Sequence, residues 1–424
     1  MKRNEDVLIY VYADWIGLPA CTPLGVLTAK HIRGKEIFAF EYDKSWLHNE
    51  HALFLDPNLG LFQGQQYLPD DKPNFGLFLD SSPDRWGRLL MRRRESLWAK
   101  DENRPVRTLR ESDYLLGVFD GHRMGGLRFK QEPQGEFLNK NKTMASPPWT
   151  SLRDLEYASL QLEREDAIDD PLYSSWLNML ILPGSSLGGA RPKSGVVDES
   201  QNLWIAKFPS NSDDKDSGAW EFVLNKLASQ CGITVPEAKI NRFTGKHHTF
   251  MSKRFDRTIK GERIHFASAM TLLGYNDGAD STDGVSYLEM AAFLIRHGAS
   301  VTDDLEQLWR RILFNIMVSN TDDHLRNHGF LLTSRGWVLS PAFDMNPNEQ
   351  GTGLHLNISE TDNYLDVSLA LNVAKYFKIN SDNATRILKK MTLVIRNWRT
   401  IAKLTGIPSN EIELMKNAFN PVRT

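Results

Sequence analysis

Only two cysteines, Cys21 and Cys231, occur in this chain of 424 residues. They lie far apart and match no metal-ligand spacing, so a disulfide scaffold is excluded and a reducing cytoplasm is the expected setting. Net charge is nearly absent too. With 51 Lys and Arg against 53 Asp and Glu, the balance is -2 at neutral pH. No global field exists to hold nucleic acid or an anionic membrane, so any such contact must be indirect or come from a local patch. No apolar run approaches the ~20 residues of a membrane span. The stretch VLIYVY (7–12) is too short for a signal-peptide core, and the chain is expected to be neither secreted nor membrane-spanning. His247, His248 and the other histidines have no partners at metal spacing, so zinc is not expected. Internal repeats of 20 to 50 residues are missing as well.

What is present suits a globular protein of two or three domains, at 41% hydrophobic and 25% charged residues. Short β-branched and aromatic segments such as 7–12 and 37–42 alternate with Gly and Pro turns and read as a small sheet. Ser82, Pro83 and Asp84 carry the cap, first-turn proline and acid of a helix start ahead of a helical pattern over 86–98. The stretch 131–148 is polar, lacks apolar periodicity and ends in the breaker pair Pro147 and Pro148. It closes a β-rich N-terminal domain, 1–135. Residues 150–257 mix signals: 175–182 is apolar, 203–208 is strand-like and 219–229 is helix-periodic. The remainder, 258–424, is mostly helical, with patterns at 286–297, 304–319, 383–404 and 410–419.

The chemistry is concentrated in NTDDHLRN (320–327) and SPAFD (340–344). Phosphoryl transfer needs an aspartate beside the attacking hydroxyl, an amide oxygen about a helical turn later, and a second carboxylate to hold magnesium against nucleotide phosphates. Asp322, Asn327 and Asp344 fit those three jobs. Upstream, GSSLGGARPK (184–193) is not a Walker A sequence, yet Gly188 and Gly189 let backbone N–H groups approach phosphate oxygens, and Ser185 and Ser186 stand beside them. Alone it reads more readily as a Gly-rich surface turn. Lys207 ends a strand-like segment, as a phosphate-neutralising lysine would, and Glu221 follows on a helix where it can pair with that lysine. Alone, these are a solvated strand edge and an exposed helical carboxylate. FMSKRFDR (250–257), with Lys253 and Phe255, is an extended segment able to meet an adenine edge between two lobes. Each element is weak by itself; their order along the chain is the specific signal. Arg85, Arg88 and the run 92–94 form a basic concentration, either a solvated helix face or a surface for DNA phosphates or an acidic partner.

The motifs LGGARPK (187–193), KRFDR (253–257), NTDDHLRN (320–327), LSPAFD (339–344) and GTGLH (351–355) together resemble the HipA family of bacterial serine/threonine kinases, toxins of toxin-antitoxin modules. FGLFLDSSPDRWGRLL (75–90) and LLGVFDG (115–121) are similar to the small domain that precedes the kinase core in that family. The resemblance implies an α+β fold of the two-lobed protein-kinase-like class, with a small lobe over 150–257 and a helical large lobe over 258–424. It implies ATP and Mg2+, Asp322 as catalytic base, Asn327 and Asp344 as metal ligands, and ATP binding by Lys207, Glu221, Lys253, Phe255 and the Ser186, Gly188 and Gly189 loop. Ser186, or its neighbour Ser185, matches a regulatory autophosphorylated serine. The expected partners are a small DNA-binding, HipB-like antitoxin and a protein substrate in translation such as an aminoacyl-tRNA synthetase. Two departures stand out: no His-Arg-Asp precedes Asn327, and Met345 follows Asp344. Asp323 stands where many relatives carry glycine, and the Asp-x4-Asn spacing selects Asp322. A small-molecule kinase of the aminoglycoside or choline type, or a non-catalytic DNA-linked corepressor, are the other readings.

Overall fold

Period-two alternation builds the first sheet. Ile9, Val11 and Ala13 point inward and are buried, whereas Leu8 faces solvent. The computed structural model describes residues 6–50, 52–69, 72–140, 147–184 and 189–420. By mutual contact these group into two compact units, Met1–Asn211 with Asp256–Ala267, and Ser212–Phe255 with Ser268–Thr424.

In the first unit a five-stranded antiparallel sheet runs in the order Gln66–Tyr67, Lys35–Tyr42, Thr22–Ile32, Val7–Ala13, Leu127–Lys130. Phe40, Phe75, Phe78 and Phe129 pack inside it, with Phe40 and Phe78 ring centroids 5.3 Å apart. Helix Arg85–Asp101 is capped by Asp84, whose carboxylate accepts from the Arg85 N–H at 2.8 Å, so the cap lies two residues beyond Ser82. Its arginines are largely spent within the unit. Arg88 forks onto Glu111 at 2.6 Å, Arg93 donates to the Leu162 carbonyl, and Arg94 lies over the Trp98 ring. Helices Leu152–Leu162 and Tyr173–Gly184 follow, and then the antiparallel hairpin of Lys193–Val197 with Leu203–Lys207.

The second unit is mainly helical. Helix Ser217–Gln230 precedes the hairpin of Ala238–Asn241 with Thr249–Lys253. Helix Val301–Val318 is the core element, burying Leu305, Leu308, Trp309, Ile312 and Phe314, and its Trp309 indole donates to the Ala370 carbonyl at 2.7 Å. A second hairpin, Gly329–Thr333 with Gly336–Leu339, carries the chain between the two polar motifs. The single helical pattern expected over 383–404 is two helices, Ser381–Ile395 and Trp398–Leu404. The break at Arg396 and Asn397 turns Trp398 onto Phe419, whose rings stack at 4.2 Å and 7°. Among the described residues no helix is long and apolar enough to cross a membrane.

Candidate functional site

Helix Val301–Val318 ends because Ser319 takes a left-handed backbone, φ +49°. A non-glycine residue there costs on the order of 1 kcal/mol, and the Ser319 hydroxyl offsets part of it by donating to the Ala418 carbonyl at 2.8 Å. The chain thereby leaves the helix as a loop and not as another turn. Asn320 closes that loop from both sides: its amide donates to Asn315 Oδ1 at 3.1 Å, and its Oδ1 accepts from the Asn346 N–H at 3.0 Å. Asn348 adds two bonds, from its N–H to the Ser319 carbonyl (3.0 Å) and from its amide to the Thr321 hydroxyl (2.9 Å). The segment after Leu339 is thus sewn to residues 319–321, which brings the stretches bearing Asp322 and Asp344 together.

The two adjacent aspartates have opposite surroundings. Asp322 is exposed, and its backbone carbonyl accepts from Asn327 Nδ2 at 2.8 Å. With Nδ2 engaged, the Asn327 Oδ1 is the atom left to meet a cation. Asp323 is 4% exposed and accepts from the Tyr287 hydroxyl, the Asn315 amide and His328 Nε2, the last at 2.9 Å. Burial pushes the Asp323 carboxyl up, but the His328 ring and these donors outweigh it and hold it below the usual carboxylate range. Burial, with Asp323 alongside, pushes the Tyr287 hydroxyl well up. Buried Arg311 donates to the Ser340 carbonyl at the start of the second motif. Burial pulls its guanidinium down to about 10 against the charges of Asp323 and Asp304. Arg311, Asn315, Asp323, Asn327, His328 and Phe343 line a narrow pocket beneath the loop.

Asp344 is half-buried and left-handed, φ +58°. The ring of Phe343 before it packs on Phe255 with centroids 5.5 Å apart, so the expected adenine segment reaches the second motif. Lys253 ends its strand, with its N–H bonded to the Glu237 carbonyl at 2.9 Å. Glu221 is not an exposed helical carboxylate: it is 6% exposed, on helix Ser217–Gln230. That helix is capped by Asp216, which also accepts from His248 Nδ1 at 2.6 Å. No cluster of three or more His, Cys, Asp or Glu poised for a metal exists among the described residues. A carboxylate and an amide oxygen completed by phosphate oxygens is nonetheless how magnesium is usually held, and Asp344 and Asn327 offer that donor set.

In the first unit Lys207 is half-buried and pairs in register with Lys193, which is 3% exposed. Directly opposed residues of an antiparallel pair project to the same face. Gly189 has φ +88°, a backbone that favours glycine, and it lies beside the Lys193 ammonium, 2.6 Å from where a Cβ would stand. Ser185, Ser186 and Gly188 lie outside the described residues. Sequence reasoning missed Lys193 and the Asp323 partners Tyr287, Asn315, His328 and Arg311. Lys193 sat inside a motif already singled out and His328 directly follows one, but Tyr287 and Arg311 come from helices whose sequence shows only apolar periodicity.

The family of the HipA-like C-terminal domain matches residues 185–398, just over half of the chain. A Haemophilus influenzae protein named "Putative kinase" is 27% identical over 179 residues, 38% of this chain and 52% of that protein. The serine/threonine-protein kinase toxin HipA of Shewanella oneidensis is 30% identical over 145 residues, 30% of this chain and 33% of the toxin. The chain thus aligns with about half or less of these curated relatives. The solved complex of Shewanella oneidensis HipA with HipB and operator DNA matches with a TM-score of 0.63 at 17% identity, over 97% of this chain and 94% of that one. The fold is accordingly α+β and of the two-lobed, protein-kinase-like class. On the family match, which spans the glycine loop, both lysines and both polar motifs, the chain belongs to the HipA family.

Proposed function

We propose that this protein is an ATP- and Mg2+-dependent serine/threonine protein kinase acting as the toxin of a toxin-antitoxin module. The observation that carries this reading is the division of labour in the 320–327 loop. Asp322 is exposed while Asp323 is committed to three buried donors, and the Asn327 amide is turned so that its nitrogen braces the Asp322 backbone. Asp322 takes the proton of a substrate serine or threonine hydroxyl as its oxygen bonds to the γ-phosphorus, the bond to the β-phosphate bridging oxygen breaks, and ADP leaves. Asp344 and Asn327 Oδ1 would hold magnesium. When bound, it supplies neutralisation of charge on the β- and γ-phosphates. Lys207 and Lys193, two cations on one face, meet the phosphate oxygens. Lys253, Phe255 and Glu221 are the further residues assigned to ATP binding.

Phosphorylation of Ser186, or of Ser185, adds about -1.5 to -2 charges to a loop that receives phosphate, so it weakens ATP binding and switches the enzyme off. Mass spectrometry after incubation with Mg-ATP reads this directly. The Shewanella complex, with its HipB and operator DNA, supports a small DNA-binding antitoxin as partner. A translation component such as an aminoacyl-tRNA synthetase, met in the cytoplasm, is the proposed target. Labelled ATP incubated with a bacterial lysate and either the wild type or Asp322→Ala tests the whole. An Asp322-dependent labelled protein band supports the reading. A labelled small metabolite indicates a small-molecule kinase, and no label in either fraction indicates a corepressor.

A further inference from the structure

The turn SPDRW (82–86) has no part in the chemistry above, yet it is bonded to the root of the glycine loop. The Gly189 N–H donates to the Asp84 carboxylate, the Trp86 N–H donates to the Gly189 carbonyl at 3.2 Å, and the Trp86 indole N–H donates to the Lys193 carbonyl at 3.0 Å. Neither partner can swing away. The second oxygen of Asp84 is held by the N–H of Arg85, at the cap of a 17-residue helix. Trp86 is 2% exposed, and Arg88 braces the turn by donating to the Pro83 carbonyl at 3.0 Å while gripping Glu111.

Backbone N–H groups and a lysine hold phosphate only when presented in a fixed arrangement. We propose that Asp84 and Trp86 are positioning residues for the nucleotide phosphates, fastening the 189–193 backbone, and with it Lys193, to a helix of the N-terminal domain. The proposal rests on the kinase reading for its ligand and on the three hydrogen bonds for its mechanism. The charge of Asp84 makes it decidable. A carboxylate near a phosphate site opposes anion binding through its field, so if Asp84 were only a helix cap, its removal would leave nucleotide affinity unchanged or improve it. If it positions the loop, removal weakens binding.

The test uses the full chain, titrated calorimetrically with Mg-ADP, as wild type, Asp84→Ala, Asp84→Asn and Trp86→Phe, with hydrogen exchange followed over residues 189–197. Asp84→Ala is expected to weaken Mg-ADP binding about tenfold, the size of one hydrogen bond to a charged group, and to speed exchange over 189–197. Asp84→Asn keeps one acceptor oxygen and should fall between it and the wild type. Trp86→Phe keeps an aromatic ring but loses the indole donor and some buried volume, and should weaken binding about threefold. Wild-type binding that Asp84→Ala and Trp86→Phe both leave unchanged or tighten overturns the proposal while the kinase reading stands. A wild-type chain that binds no Mg-ADP overturns both.

Discussion

Replacing Asp322 and Asp323 with alanine, one at a time, separates chemistry from architecture at neighbouring positions. Asp322 is exposed and no side chain among the described residues bonds its carboxylate. Its loss should alter stability by no more than about 0.5 kcal/mol, the usual range for a surface site. Removing Asp323 strands the Tyr287 hydroxyl, the Asn315 amide and His328 Nε2 without an acceptor, and deprives buried Arg311 of a nearby negative charge. Breaking one side of such a buried pair costs about 3–5 kcal/mol. For a unit of this size each kcal/mol moves the melting temperature by about 2–4 °C, so Asp323→Ala should melt roughly 6–20 °C lower. Differential scanning fluorimetry reads that, and labelled phosphate transfer reads the other half. Asp322→Ala should lose about 10²–10⁴ in rate with its melting temperature kept. An Asp322→Ala protein that melts early, or an Asp323→Ala protein as stable as wild type, would reverse the two roles and refute the reasoning.

The left-handed backbone of Asp344 makes glycine the better knockout than alanine. Asp344→Gly should be more stable than Asp344→Ala by about 1 kcal/mol in a denaturant titration, while both lose phosphate transfer. Gly218 sits in a helix, where propensity alone favours alanine by about 1 kcal/mol. A Cβ at that position would lie 2.2 Å from the His248 carbonyl oxygen, so Gly218→Ala should lower the denaturant midpoint instead. Burial pushes the Asp216 carboxyl up from its ordinary 3.8, but the hydrogen bonds from His248 and the Ala219 N–H bring it below that value. The folded state therefore binds this proton less readily than the unfolded chain. The resulting stability is complete above pH about 4 and is lost as pH falls through the depressed value. Melting curves between pH 2.5 and 6 should show a shallower acid limb for Asp216→Asn than for wild type.

Local pattern carried much of the architecture. The helices Arg85–Asp101, Ser217–Gln230, Tyr287–His297 and Val301–Val318 follow stretches whose apolar residues recur at helical spacing, since one buried face per helix imposes that period. Strands were read less completely. Val7–Ala13 and Lys35–Tyr42 alternate cleanly, but Gly329–Thr333 and Gly336–Leu339 are short and carry apolar Leu331 and Val338 at their half-buried positions, so no alternation of residue type marks them. The division at Arg396 was not legible because the apolar stripe continues through it, and only the stacking of Trp398 on Phe419 turns the chain there.

The identity and order of the polar motifs were settled by the chain alone, because Asp, Asn, Lys and Gly at those spacings are chemical requirements that need no neighbour to be recognised. Which of two adjacent aspartates is sealed in and which faces out was decided only by folding. Tyr287 arrives from a helix 36 residues back, and with Asn315 of the preceding helix and His328 it claims one carboxylate. Likewise, nothing in SPDRW announced that it would grip Gly189, over a hundred residues away. Hydrogen-bond partners brought together across such separations are chosen by packing, and packing leaves no local trace in composition or period.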